Sequence, residues 1–445
     1  MTRSDLRDAL SVTRSDFPSD FQFAVATSAY QIEGHAHGGA GPTHWDAFAR
    51  VPGKVDRGED GALACDHFHR WAEDLDLIAE AGFDAYRFST SWARIMPDGR
   101  QLNEAGLDFY DRLVDGMLER GIKPMATLYH WELPQALSER GGWTSREIPE
   151  RFAEFSARVA RRLGDRLWST APVNEPWCVA WLSHFHGYHA PGLADLTAAA
   201  RAMHHVGLAH GLSIQALRAE GVPNLGAACN MEYALPATDR DADRQAADIY
   251  DGIYNRWFVG GMVKGIYPED IVDGLSDHLP DGWQNDLKII SEPIDWMGIN
   301  YYTCKRIARA NAPWPAYTER EGPLPKTDMG WEICPDGLDW LIRRTVTDYT
   351  GDLPLFITEN GMANADQVAV PDLARIDYLD RHLERMKTMV EDGIPLKGYT
   401  IWSLLDNYEW TLGYDKRFGL VHVDFDDYTR TPKASYHAVQ RALAA

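Results

Sequence analysis

No run of about 18 consecutive apolar residues occurs in the 445-residue chain, so the sequence offers no membrane-spanning helix. Cysteine is scarce. The five present, Cys65, Cys178, Cys229, Cys304 and Cys334, are odd in number and widely spaced, with no C-x-x-C pair. That spacing excludes a zinc ribbon or a thioredoxin-like motif and reads as free thiols in a reducing compartment. Positive charge is in deficit: 44 Lys+Arg against 66 Asp+Glu give a net charge of −22. A nucleic-acid or anionic-membrane partner, which wants clustered positive charge, is not expected. Ser/Gly tracts, charge blocks and low-complexity stretches are also missing, so residues 1–445 read as one domain without linkers. Residues 1–16 alternate charged and small residues, lack an apolar signal-peptide segment, and are expected to be a flexible lead-in to a cytoplasmic protein. Whether the chain forms a homo-oligomer is left open.

What the chain does contain is an alternation of short β-rich runs and longer helical patterns from end to end. Eight strands are expected, at Phe21–Ser28, Ala85–Thr90, Lys123–Tyr129, Leu167–Val173, Asn224–Asn230, Trp296–Tyr302, Leu353–Asn360 and Leu396–Ser403. Their nearly continuous apolar character suits strands buried on both faces. Between them, Ala64–Ala81 places Phe68, Trp71, Leu75 and Ile78 on one helical face, and Gly82 stands where a helix-ending glycine belongs. Asn103–Arg120 with Gly121, and Asp372–Glu391 with Gly393, repeat the arrangement. Eight β–α units predict an α/β fold, a single (β/α)₈ TIM barrel with elaborated βα loops. A doubly wound sheet is the competing fold, but no G-x-G-x-x-G loop follows the first strand.

In such a barrel the active site is built where strands end. The strand ends here are polar and aromatic: Gln31 and Glu33, Arg87, His130–Trp131, Asn174–Glu175, Asn300–Tyr301–Tyr302, Glu359–Asn360, then Trp402, Asp406, Glu409 and Trp410. Glu175 and Glu359 each close a strongly apolar run and lie 359 − 175 = 184 positions apart, on strands expected to face each other across the mouth. Two opposed carboxyls at one cleft are what glycoside hydrolysis needs, one protonated and one ionised. Arg87 is the natural cation for Glu359. Trp131, Trp331, Trp402 and Trp410 offer flat faces for sugar C–H groups, beside hydrogen-bonding Gln31, His130, Asn174 and Glu409. Histidines His67/His69, His184/His186 and His204/His205 lack metal-ligand spacing, so neither a metal nor an organic cofactor is expected.

The ordered motifs SAYQIEG, AYRFSTSWARIMPDG, TLYHWELPQAL, APVNEPW, GINYYT, LFITENGM and IWSLLDNYEWTLGYDKRFGL resemble glycoside hydrolase family 1, the retaining β-glucosidase family, over nearly the whole chain. The resemblance implies Glu175 as general acid/base and Glu359 as nucleophile. It implies that Gln31, His130, Asn174, Glu409 and Trp410 hold the non-reducing sugar, with Trp402 beneath it and Phe418 closing its pocket. Tyr302 and Arg87 would orient Glu359, Asn300 would support Glu175, and Trp331 would be the leaving-group platform. The family branch acting on 6-phosphoglycosides resembles Ser at the position of Glu409, whose charge here would repel phosphate. Carboxyls about 5–5.5 Å apart are implied by the retaining mechanism. Substrates implied are small β-glycosides or short oligosaccharides. His44, Trp181 and His184 depart from the family's usual residues around the leaving-group entrance by analogy. A sugar-binding barrel without turnover and a metal-dependent barrel hydrolase are the competing functions.

Overall fold

The computed structural model describes residues 7–364 and 370–445. Eight parallel strands form its centre: β1 Gln22–Ala26, β2 Ala85–Ser89, β3 Lys123–Tyr129, β4 Ser169–Val173, β5 Gly226–Asn230, β6 Trp296–Asn300, β7 Leu355–Asn360 and β8 Leu396–Trp402. Their order is 4-3-2-1-8-7-6-5. Bridges Thr170↔Leu225 and Asn174↔Ala228 join β4 to β5 and close the ring. The fold is the expected α/β barrel, and all eight strands lie inside the expected segments. β3 fills its apolar run and the other seven are shorter than theirs, flanking residues such as Leu167 and Leu353 lying outside the ladders. In the closed ring β4 and β7 stand three places apart, one short of diametrically opposite.

Helices cover the strands through single apolar faces. In His67–Ala81, Leu75, Ile78 and Ala81 are buried, and Phe68 and Trp71 pack at the edge of the same core. The helix begins three residues later than its pattern suggests, because Ala64 and Asp66 take positive φ values of 47° and 53°. Gly82 ends it at φ 82°, its amide bonding back to the last turn.

One buried ion cluster ties this helix to the C-terminal segment. Asp74 is fully buried and accepts from His67 Nδ1 (2.8 Å) and from Arg430 Nε (2.9 Å) and Nη2 (3.0 Å). Burial opposes ionisation of Asp74, but the His67 and Arg430 bonds outweigh it and hold the carboxyl below its ordinary range. Removing one partner strands a buried charge. Arg430→Met is therefore expected to lower unfolding stability by about 3–5 kcal/mol, read from a urea titration. A change below about 1 kcal/mol would show that the cluster hydrates instead.

The expected lead-in lies against the barrel over residues 7–16: Val12 is buried, the Ser11 amide donates to Asp380 (2.6 Å), and Arg14 pairs with Asp84 (2.9 Å). Residues 1–6 are outside the described residues.

The elaborated βα loops carry a small three-stranded sheet, Tyr233–Pro236, Cys304–Arg309 and Tyr317–Arg320, after β5 and β6. This sheet builds one side of the barrel mouth.

Candidate active site

Six of the eight strands, β3 to β8, deliver a side chain from their carboxyl ends to one cavity of about 390 Å³, within the usual range for small-molecule sites. Its floor is a hydrogen-bonded chain. Arg87, at the centre of β2 and buried, donates to Glu359 Oε1 and, through Nη2, to Asn174 Oδ1 (2.6 Å). Tyr302 OH donates to Glu359 Oε2 (2.7 Å). Asn300 Nδ2 donates to Glu175 Oε1 (2.8 Å) and to Asn174 Oδ1 (3.0 Å), so Asn174 links the two carboxyl sites.

Local backbone aims these groups. The β6–β7 register shifts between Ile357 and Glu359, and this bulge turns Glu359 towards the cleft. Glu175 itself takes φ 50°, Trp131 φ 76° and Trp410 φ 55°. Left-handed conformations at three bulky residues cost free energy and cluster at the functional end of the barrel, where surrounding packing enforces them.

The two carboxyls have different environments. Burial raises Glu175, ionised Glu359 nearby raises it further, and the bonds from Asn300 and Cys178 offset only part, leaving it at about 8. Burial also raises Glu359, but Arg87 and Tyr302 pull it back. Only Glu359 has the cation directly on it, so the single proton of the pair rests on Glu175. Glu409 is likewise raised by burial and by both neighbours to about 8.

Aromatic rings line the cavity. His130 stacks on Trp402 (5.5 Å, 17°) and Trp410 (6.2 Å, 9°), and Trp131 leans on Trp410 (4.9 Å, 41°). Trp331 and Tyr302 pack at 5.4 Å, with Phe418 6.2 Å from Trp331. Burial holds His130 neutral, and the Asn174 amide donates to its Nε2 (3.2 Å), leaving Nδ1–H unpartnered among the described residues. Glu409 Oε2 is unpartnered in the same way. An orphaned donor and an orphaned acceptor on one buried wall suit ligand hydroxyls.

Eleven of the fourteen expected site residues line the cavity itself: Glu175, Glu359, His130, Trp131, Asn300, Tyr302, Trp331, Trp402, Glu409, Trp410 and Phe418. Arg87, Asn174 and Gln31 stand behind that wall. Gln31 spends both amide hydrogens on Asn407 Oδ1 (3.0 Å) and the Tyr408 carbonyl (2.8 Å), bracing the loop that carries Glu409.

Two departures from the family pattern are not where analogy puts them. Trp181 and His184 are buried away from the cavity, because the π-helical turn Cys178–Leu182 points Cys178 and Leu182 inward while Trp181 stacks on Phe185 (4.3 Å). His44 is buried too, its Nδ1 accepting from the Leu133 amide (3.3 Å). Of the histidine pairs, His204 bonds Asp286 (2.9 Å) and His205 the Trp143 carbonyl (2.9 Å). Among the described residues one His–Asp–His group, His37, Asp66 and His69, brings donor atoms within 4.8 Å, outside the cavity.

Cavity residues that reading strand ends passed over are Trp177, Cys178, Asn230, Glu232, Tyr250, Tyr254, Lys305 and Glu319. Asn230 ends β5, so the strand-end rule itself reaches it. Lys305 and Glu319 come from the added sheet, which barrel periodicity does not announce.

Paired carboxyls in unequal protonation states, at the carboxyl rim of a (β/α)₈ barrel, define a glycoside-cleaving hydrolase. Comparison narrows the class. The profile of glycosyl hydrolase family 1 matches residues 13–443. A β-glucosidase of Agrobacterium sp. is 47% identical over 436 residues, 94% of this chain and 93% of its own. A bifunctional β-D-glucosidase/β-D-fucosidase of Bifidobacterium breve is 42% identical, covering 96% of this chain and 98% of its own. The solved family 1 β-glucosidase from Thermotoga maritima superposes with a TM-score of 0.92 at 41% identity, over 95% of this chain and 97% of its own. The chain belongs to glycosyl hydrolase family 1.

Proposed function

We propose that this enzyme is a retaining β-glucosidase acting on terminal non-reducing β-D-glucosyl residues of small glycosides and cellobiose-like oligosaccharides, with galactosyl and fucosyl residues also admitted. The carrying observation is the unequal pair: Glu359 under Arg87 and Tyr302, Glu175 without its own cation. Ionised Glu359 attacks the anomeric carbon as Glu175 gives its proton to the departing oxygen. Glu175, now a carboxylate, takes a proton from water, which displaces Glu359 and restores the β configuration. Asn174 and Asn300 hold the two carboxyls in register. His130, Glu409 and Trp410 take the sugar hydroxyls, Trp402 the sugar face, and Trp331 the leaving group. The 6-phosphoglucoside is disfavoured because Glu409 offers its phosphate no cation, and repels it once the carboxyl ionises near pH 8. Five free, buried cysteines support work in the reducing cytoplasm.

The test is release of nitrophenol from the β-D-glucoside, galactoside, fucoside and 6-phosphoglucoside, with the first-formed sugar followed by NMR. β-Glucose formed first from the glucoside supports retention; α-glucose formed first overturns it. Reaction of the 6-phosphoglucoside alone overturns the role of Glu409. Saturable binding without turnover favours the silent sugar-binding barrel.

Activity against pH should be bell-shaped. It falls at high pH as Glu175 loses its proton near 8, and at low pH as Glu359 gains one. Cys178 tunes the alkaline side. Burial keeps its thiol protonated, and it donates to Glu175 Oε2 (3.1 Å), stabilising the carboxylate. Cys178→Ala should move the alkaline limb of kcat/KM up by about half a pH unit, as a weak thiol bond worth about 0.7 kcal/mol implies. A limb that moves down, or that stays although Glu175→Ala abolishes it, would detach Cys178 from Glu175.

A further inference from the structure

Outside the cavity, side chains from two separate segments converge on one point of the surface. His37 lies in the loop after β1, and Asp66 and His69 stand at the start of the helix His67–Ala81. Donor atoms of the three lie within 4.8 Å of one another. His69 Nδ1 is 2.6 Å from Asp66 Oδ1, and His37 Nε2 approaches the same oxygen to 3.7 Å. The first contact alone is a local hydrogen bond. The second is too long for one, so the His37 ring faces the carboxylate without being bonded to it. The two imidazoles meet edge to face at 4.5 Å. A metal ion about 2.0–2.1 Å from each of its tetrahedral ligands sets those ligands roughly 3.4 Å apart. His37 and Asp66 are close to that spacing, and His69 and Asp66 need only part slightly as the metal replaces the proton between them. Sequence spacing pairs His69 with His67, but His67 is buried on Asp74.

The surroundings fix this geometry. Asp66 is the N-cap of its helix in a left-handed conformation (φ 53°), yet its carboxylate makes no capping bond to the helix amides and meets the imidazoles instead. Buried Arg94 donates to the His37 carbonyl and, through Nη2, to the Gly34 carbonyl (3.2 Å), while Asn103 Nδ2 donates to the Gly38 carbonyl (2.9 Å). Gly38, at φ 69°, is packed so closely that a Cβ would fall 2.6 Å from the Phe68 ring. That ring stacks on His37 (5.9 Å, 26°). Ligands whose backbone and rings are held by such bonds and packing lose little entropy when an ion arrives. Arg70 Nε stands 3.7 Å from Asp66 Oδ2, but its Nη1 also reaches Glu73 (3.3 Å), a partner it keeps when a metal neutralises Asp66. His69 is exposed, so solvent water can complete the coordination. Two imidazoles and one carboxylate suit zinc or copper, whereas magnesium and calcium want oxygen ligands.

We propose that His37, Asp66 and His69 bind one divalent transition metal of the zinc and copper class, and that the ion staples the loop after β1 to the helix His67–Ala81. None of the three residues lines the cavity, so the ion acts on the fold and not on the bond being cleaved.

The test is calorimetric titration of zinc into the untagged chain, wild type, His37→Ala and His69→Ala, repeated with magnesium. Wild type should show one saturable zinc site per chain, reversed by a chelator, that magnesium does not fill. Each histidine variant should weaken it at least about tenfold, since losing even a group that only supports a ligand costs about 10–100-fold. Both histidines reach solvent, so the variants test the ion and not the core. Copper bound at the same site should show coupling to two nitrogens by electron paramagnetic resonance in wild type and to one in either variant. Saturating zinc should raise the thermal midpoint of wild type and leave that of His37→Ala unmoved, because the ion binds the folded site alone. No saturable zinc binding by wild type, binding undiminished in either variant, or a wild-type midpoint unmoved at saturation overturns the proposal.

Discussion

Glu359→Gly is expected to lose on the order of 10⁴-fold or more in kcat/KM on every glucoside, since the covalent path has no nucleophile. The structure adds a consequence. Arg87 is buried and gives its shortest bond to Glu359, so the glycine variant leaves a guanidinium uncompensated beside an empty space the size of a carboxylate. A small anion should enter that space, held by Arg87 and the Tyr302 hydroxyl. Azide should therefore act twice. It should raise the thermal midpoint of the variant, because it binds the folded state alone, and it should restore turnover of an activated aryl β-glucoside. Azide on the Glu359 side displaces the leaving group in a single inversion, so the product is the α-glucosyl azide. A β-azide, or a variant retaining more than about a hundredth of wild-type activity, would remove Glu359 as nucleophile. Wild type should gain nothing from azide.

The placement of Glu359 was legible in the sequence because burial and position coincide there. A parallel strand covered on both faces reads as an unbroken apolar run, and a carboxylate ending such a run has few structural uses. The same logic located Glu175, Asn300 and Trp402 correctly at the rim. What pattern could not supply was aim. The bulge before Glu359 and the left-handed backbone at Glu175 are set by neighbouring strands, and neither leaves a mark in local sequence. Gln31 shows the cost: its strand end was read rightly, but only the structure shows its amide committed to the Tyr408 loop.

Leaving-group contacts were the least legible. Cys178 and Trp181 are three apart, and an α-helical reading cannot tell which faces the cleft; the π-helical turn decides it. Lys305 and Glu319 reach the cavity through a sheet whose strands of six and four residues look like irregular loop when judged against barrel strands. The catalytic half depends on the fold and is readable from it. The half that chooses the leaving group depends on what is added to the fold.

Glu175→Ala should separate the two chemical steps. With a leaving group that needs a proton, as in cellobiose, losing the acid should cost about 10²–10⁴-fold. Dinitrophenolate leaves without help, so the first step with that glucoside should survive while the second, lacking its base, stalls. The expected result is a burst of one dinitrophenolate per enzyme followed by slow turnover. Azide needs no deprotonation, so it should relieve the stall, and it must attack from the side opposite Glu359. The product is then the β-glucosyl azide, the mirror outcome to Glu359→Gly. The pH profile of the burst step settles a second assignment. Glu175 and Glu409 are both pushed to about 8, so either could give wild type its alkaline limb. If the limb disappears in Glu175→Ala, it reports the acid. If it stays near 8, ionisation of Glu409 against the bound sugar sets the upper limit, and Glu175 titrates higher than its burial and its bonds from Asn300 and Cys178 indicate.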